Sequence, residues 1–164
     1  MEPREARFAV EELLAAYVEC IDGDRLEEWP DLFTEKCVYK IITWENVSQD
    51  LDIGWIYCDS RGMLQDRVTA HRRANLFAPH RYRHVVGSVR VVGISEDAGV
   101  VVDALSNVVV VRTALDPVRY GTSEVYAAGQ YRDRVLVENG TTKFKEKIVV
   151  LDTARADTLL ATPL

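Results

Sequence analysis

The stretches HVVGSVRVVGI (84–94), GVVVDALSNVVVVRT (99–113) and SEVYAAGQYRDRVLV (123–137) decide how this chain folds. Their apolar residues recur with a period of two, and in an extended chain that period puts successive side chains on opposite faces, so each reads as a long β-strand. The third runs into Asn139-Gly140, a strong hairpin signal between apolar runs because both residues tolerate positive φ. The closing KFKEKIVVL (143–151) alternates as well. That predicts Lys143, Lys145 and Lys147 on one face, solvated or at a sheet edge, and Phe144, Glu146, Ile148 and Val150 on the other.

Upstream the period changes. Val10, Leu13, Leu14, Tyr17, Val18 and Ile21 fall on one stripe of a helix that Gly23 ends. A short helical turn broken before Pro30 follows, with Trp29, Leu32 and Phe33 as core plugs, and then a strand at 37–43. A second helix is expected from a Ser60 cap through RGMLQDRVTAHRRANLF (61–77), with Leu64, Val68 and His71 sharing a stripe. Helices followed by a long antiparallel meander define an α+β architecture, helices folded over one face of a curved sheet. No linker or repeat divides the sequence, so residues 1–164 are expected to form one domain.

A formal net charge of -6 and a pI near 5.1 oppose nucleic-acid binding, which needs a surplus of Lys and Arg to neutralise phosphates. Cys20, Cys37 and Cys58 include no C-x-x-C pair and read as reduced structural thiols. The N-terminus lacks the apolar block of a signal peptide, and no run is long enough for a bilayer, so a cytoplasmic location and no membrane association are expected.

The segment HRYRH (His80, Arg81, Tyr82, Arg83, His84) concentrates the functional candidates. On a helix, histidines four apart could share an ion, but Pro79 and the β-branched residues that follow make this segment extended, which places the two imidazoles roughly 13 Å apart. No other ligand cluster appears, so no metal or cofactor is expected in this chain. His71, on an apolar stripe, reads as a hydrogen-bonded core residue. No nucleophile elbow or phosphate loop is present. A covered, curved sheet can enclose a conical cavity, where Asp31, Tyr39, His84 and an inward Glu146 could move protons. Each of these also has a plain structural role open to it. Arg and Tyr are enriched at the energetic centres of protein interfaces, which favours His80–His84 as a subunit-contact segment.

The stretch DIGWIYCDSRGMLQDRVTAHRRANLFAPHRYRHVVGSVRV (52–91) resembles the small (beta) subunits of aromatic-ring-hydroxylating dioxygenases, most nearly the terephthalate-acting members. The likeness extends to IDGDRLEEWPDLFTEKCVYKI (21–41), SEVYAAGQYRDRV (123–135) and DTLLATPL (157–164), in the same order. The resemblance implies a cone-shaped NTF2-like (cystatin-like) fold. It implies no catalytic residue in this chain, and a large (alpha) subunit partner carrying a Rieske 2Fe-2S cluster and a mononuclear Fe(II), commonly three of each subunit. That assembly would cis-dihydroxylate an aromatic carboxylate, terephthalate or a substituted benzoate, with electrons from a reductase or ferredoxin. Two rivals on the same fold stand beside it: a free-standing dehydratase or isomerase using Asp31, Tyr39 and His84, and a small-molecule binding module.

Overall fold

The computed structural model describes residues 1–75, 77–97, 99–153, 160 and 162–164. Helix α1 (Pro3–Asp22) begins with Pro at its first position, where the missing N–H costs nothing, and Gly23 closes it. Its stripe of Ala6, Val10, Leu13, Leu14, Tyr17, Cys20 and Ile21 is buried. A 3-10 turn (Trp29–Leu32) leads into β1 (Phe33–Thr43), α2 (Trp44–Ser48) and β2 (Ile56–Cys58). Helix α3 (Arg61–Arg73) precedes the long strands β3 (His80–Asp97), β4 (Gly99–Ala114), β5 (Ser123–Glu138) and β6 (Thr141–Leu151).

The strands form a six-stranded sheet in the order β2-β1-β6-β5-β4-β3. From β3 to β6 it is the expected antiparallel meander, and Asn139 and Gly140 turn β5 into β6 with φ of 51° and 75°. The far side differs from expectation: β1 pairs parallel to β6, so the sheet is mixed. Register shifts recur in β1/β6, β3/β4, β4/β5 and β5/β6, and each extra residue bends its strand. The bent sheet wraps the apolar stripes of α1 and α3.

Three local expectations are corrected. Pro30 does not break the turn at Trp29 but sits inside it, near the N-terminal end where no N–H is required. Helix α3 stops at Arg73 rather than Phe77, its last turn already carrying His71, Arg72 and Arg73, while Leu76 lies outside the described residues. The third is β6. Arg134 pairs with Glu146 and Val135 with Phe144, so Lys145 bulges out and the alternation changes phase there. Phe144, Lys147 and Val149 share the inner face, and Lys147 is fully buried instead of solvated. Glu146 stays on the outer face, its Oε1 accepting from Arg134 at 2.9 Å.

Candidate functional site

The sheet register assembles a polar row inside the cone. Tyr39 of β1 lies beside Lys147 of β6, which lies beside Asp133 of β5 and then Ala104 of β4. Lys147 Nζ donates to Asp133 Oδ1 at 3.2 Å, and both side chains are buried. The ammonium also stands over three ring faces, 3.5 Å from the Tyr131 centroid, 4.4 Å from Tyr17 and 4.7 Å from Phe144. Burial pushes the Lys147 amine down to about 8, against the pull of Asp133. Burial likewise raises the Asp133 carboxyl, against the pull of Lys147.

Part of the interior is filled by the chain's own residues 162–164. Leu164 is 1% exposed. Its main-chain oxygen accepts from the Tyr17 hydroxyl at 2.7 Å and from Tyr39 at 3.4 Å, and its N–H donates to the Tyr39 oxygen at 3.0 Å. Arg67 reaches the Leu160 carbonyl at 3.3 Å. Burial raises the Tyr39 phenol to about 12 and lifts those of Tyr17 and Tyr131 well above their ordinary value. These tyrosines are neutral donors at any physiological pH.

In the HRYRH segment the strand pleat separates the side chains. Tyr82 and His84 are buried, whereas Arg81 and Arg83 point outward and are exposed. His84 Nδ1 lies 2.6 Å from Asp22 Oδ1 at the end of α1, and the Asp22 Oδ2 accepts the His84 main-chain N–H at 2.9 Å. A carboxylate only accepts, so the imidazole donates from Nδ1 and its orientation is fixed. His80 Nδ1 is 2.7 Å from the Ala78 carbonyl, with its ring between Phe77 and Tyr82. His71 is buried and stacks on Phe77 at 4.7 Å.

The acid/base set nominated from sequence does not assemble as a unit. Asp31 is exposed on the 3-10 turn, Tyr39 is spent on Leu164, His84 on Asp22 and Glu146 on Arg134. A cavity of about 440 Å³ opens at the rim, lined by residues that include Asp22, Asp24, His71, Arg72, His80 and Tyr82, and none of the four nominated groups lines it. Asp22, Asp133 and Lys147 were missed. Asp22 directly follows the last apolar residue of the α1 stripe, a signal that was available. Lys147 was hidden by a bulge that alternation cannot show. The three cysteines are buried and free, and burial pushes the Cys20 and Cys37 thiols up to about 11. Among the described residues no three His, Cys, Asp or Glu gather to hold an ion, and no helix is long and apolar enough to cross a membrane.

Fold and site together define a cone-shaped, NTF2-like α+β protein whose interior is filled by aromatic rings, an ion pair and its own residues 162–164. The chain belongs to the ring hydroxylating beta subunit family, which matches residues 17–157. It is 40% identical to the anthranilate 1,2-dioxygenase small subunit of Burkholderia cepacia, over 96% of this chain and 93% of that one. It is 35% identical to a terephthalate 1,2-dioxygenase terminal oxygenase subunit, beta 1, of Comamonas sp, over 92% of this chain and 93% of that one. Among solved structures, one described as the beta subunit of an aromatic-ring-hydroxylating dioxygenase from Novosphingobium aromaticivorans is 42% identical. It superposes with a TM-score of 0.86 and covers 98% of both chains.

Proposed function

We propose that this chain is the non-catalytic small subunit of a Rieske-type aromatic-ring-hydroxylating dioxygenase. The observation that carries the reading is the family match over residues 17–157. The interior agrees with it: Lys147 and Asp133 are bonded to one another, and Tyr17 and Tyr39 to Leu164. In this reading residues 1–164 form one cytoplasmic domain, a scaffold that associates with the large subunit in a complex of three of each. The Rieske 2Fe-2S cluster, the mononuclear Fe(II) and the dihydroxylation all belong to the large subunit, fed by a reductase or ferredoxin. The substrate is an aromatic carboxylate, since the relatives at 40% and 35% identity are named for anthranilate and terephthalate, both substituted benzoates. The outward arginines of the HRYRH segment contact the large subunit.

The test is coexpression with the large subunit, followed by size-exclusion chromatography with light scattering and an iron assay on each peak. One iron-containing peak at the mass of three of each chain is expected. A chain that elutes alone and iron-free, away from an assembled large subunit, would overturn the reading.

A further inference from the structure

We propose that the Tyr17–Tyr39 pair forms a binding site for a compact apolar molecule bearing a carboxylate or carbonyl oxygen, and that Leu164 occupies this site as an internal ligand. Two phenol hydroxyls from separate elements, α1 and β1, converge on one oxygen at 2.7 and 3.4 Å, and Tyr39 also takes the adjoining N–H at 3.0 Å. Convergent neutral donors in a dry setting select an oxygen with two lone pairs to offer. Around them the walls are apolar and aromatic. Trp29 and Phe33 stand edge-on to Tyr39 at 5.0 and 6.2 Å, and Phe144 edge-on to Tyr17 at 5.6 Å.

Two further observations make this a site rather than ordinary packing. Tyr131, fully buried with its ring 6.2 Å from that of Tyr17, has a hydroxyl with no hydrogen-bond partner. A third buried hydroxyl beside the pair is therefore left unbonded by Leu164. In addition, the occupant is buried but stands outside the regular secondary structure. Thr162–Leu164 belongs to no helix and no strand, so its departure breaks no ladder of the sheet. Pro163 shares a small pocket with Leu26, Trp29, Val68 and the polar Arg67 and His71, space that would be opened with it.

The experiment deletes residues 162–164 from the otherwise complete chain, verifies folding by far-UV circular dichroism and follows thermal unfolding with three probes. Benzoate supplies a carboxylate, benzamide a neutral carbonyl and toluene the same apolar body with no oxygen. Benzoate or benzamide is expected to raise the midpoint saturably, on the order of 4 °C at ten times half-saturation, with toluene well below both. Whichever of the first two acts identifies carboxylate or carbonyl as the preferred group. The complete chain, its site already filled, is expected to show no shift. The proposal is overturned if the shortened chain binds neither oxygen-bearing probe, if the complete chain responds equally, or if Tyr17→Phe with Tyr39→Phe leaves the response intact. Should the deletion not fold, Leu164→Gly in the complete chain keeps the main-chain bonds and vacates only the isobutyl space. Xenon must then bind to it and not to the parent chain, as read by xenon NMR, and equal spectra overturn the proposal.

Discussion

Lys147 shows how a single side chain can set the chemistry of an interior. Its ammonium is enclosed by Asp133 and three rings, and the pair's mutual attraction must offset the desolvation of both charges. Removing one partner strands the other. Lys147→Met is expected to destabilise the chain by about 3–5 kcal/mol, whereas Lys147→Met with Asp133→Leu should be close to neutral or stabilising. Denaturant unfolding of the two variants checks this, and equal losses would contradict it. The pH dependence follows from the sign of the shift. With its folded value at about 8 and its ordinary value of 10.5, Lys147 releases a proton in the folded state that the unfolded state still holds. Stability contributed by this group therefore rises with pH between those values. The neighbouring tyrosines, whose values are raised, act in the opposite sense only above their ordinary 10.0, so the interval from about 8 to that value reports on Lys147. The difference in stability between the parent chain and the double variant is thus expected to move in favour of the parent as pH rises from about 8. A flat difference would mean that Lys147 is not desolvated as described.

At the scale of elements, what could be read in the sequence depended on whether the signal was local. The α1 stripe, the Ser60 cap, the Asn139-Gly140 turn and the alternation in β3, β4 and β5 are properties of neighbouring residues, and all are present. The parallel pairing of β1 with β6 joins residues about a hundred positions apart, and the bulge at Lys145 adds one residue with no compositional mark. Consequently the segments were legible while the phase of β6, and with it the identity of the buried lysine, was not. Of the acid/base candidates, Glu146 was misplaced for the same reason, assigned inward from an alternation that the bulge reverses, whereas Tyr39 and His84 are buried but bonded to distant residues. The strand curvature itself leads to a paired prediction. A Cβ built on Gly129 would stand 2.1 Å from the Val150 carbonyl oxygen, a main-chain atom that cannot yield without moving β6. Gly129→Ala is expected to cost about 3 kcal/mol. Gly62, in the first turn of α3, meets nothing within 4 Å, and Gly62→Ala should add about 0.5 kcal/mol by restricting the unfolded chain. Thermal melts of the two variants should shift in opposite directions, and a stable Gly129→Ala chain would show that β5 and β6 are less closely apposed than described.

At the scale of the whole molecule, the HRYRH segment divides its residues between two tasks, because a strand at the edge of the sheet has one face toward the core and one toward whatever lies outside. The inward side chains hold β3 to α1 and reach across β4 to β5: Tyr82 stacks on Tyr126 of β5 at 5.2 Å, and His84 is pinned by Asp22. The outward ones contribute almost nothing to the fold, since the Arg83 side chain is 73% exposed and its approach to Asp22 is 3.9 Å. If the chain serves as a subunit, these arginines are free to act between chains, where Arg is worth more than at an open surface. Arg81→Ala with Arg83→Ala should therefore leave the thermal midpoint of the isolated chain within the range of a neutral surface change, about 0.5 kcal/mol. It should weaken assembly with the large subunit by about tenfold, an effect that raised salt mimics in the parent. Tyr82→Ala should do the reverse, costing about 3–5 kcal/mol of folding stability before assembly can be measured. The pair of variants separates contact from scaffold. Unchanged assembly of the double arginine variant would remove this strand from the interface, while a loss of folding in that variant would show that the outward face of β3 is structural after all.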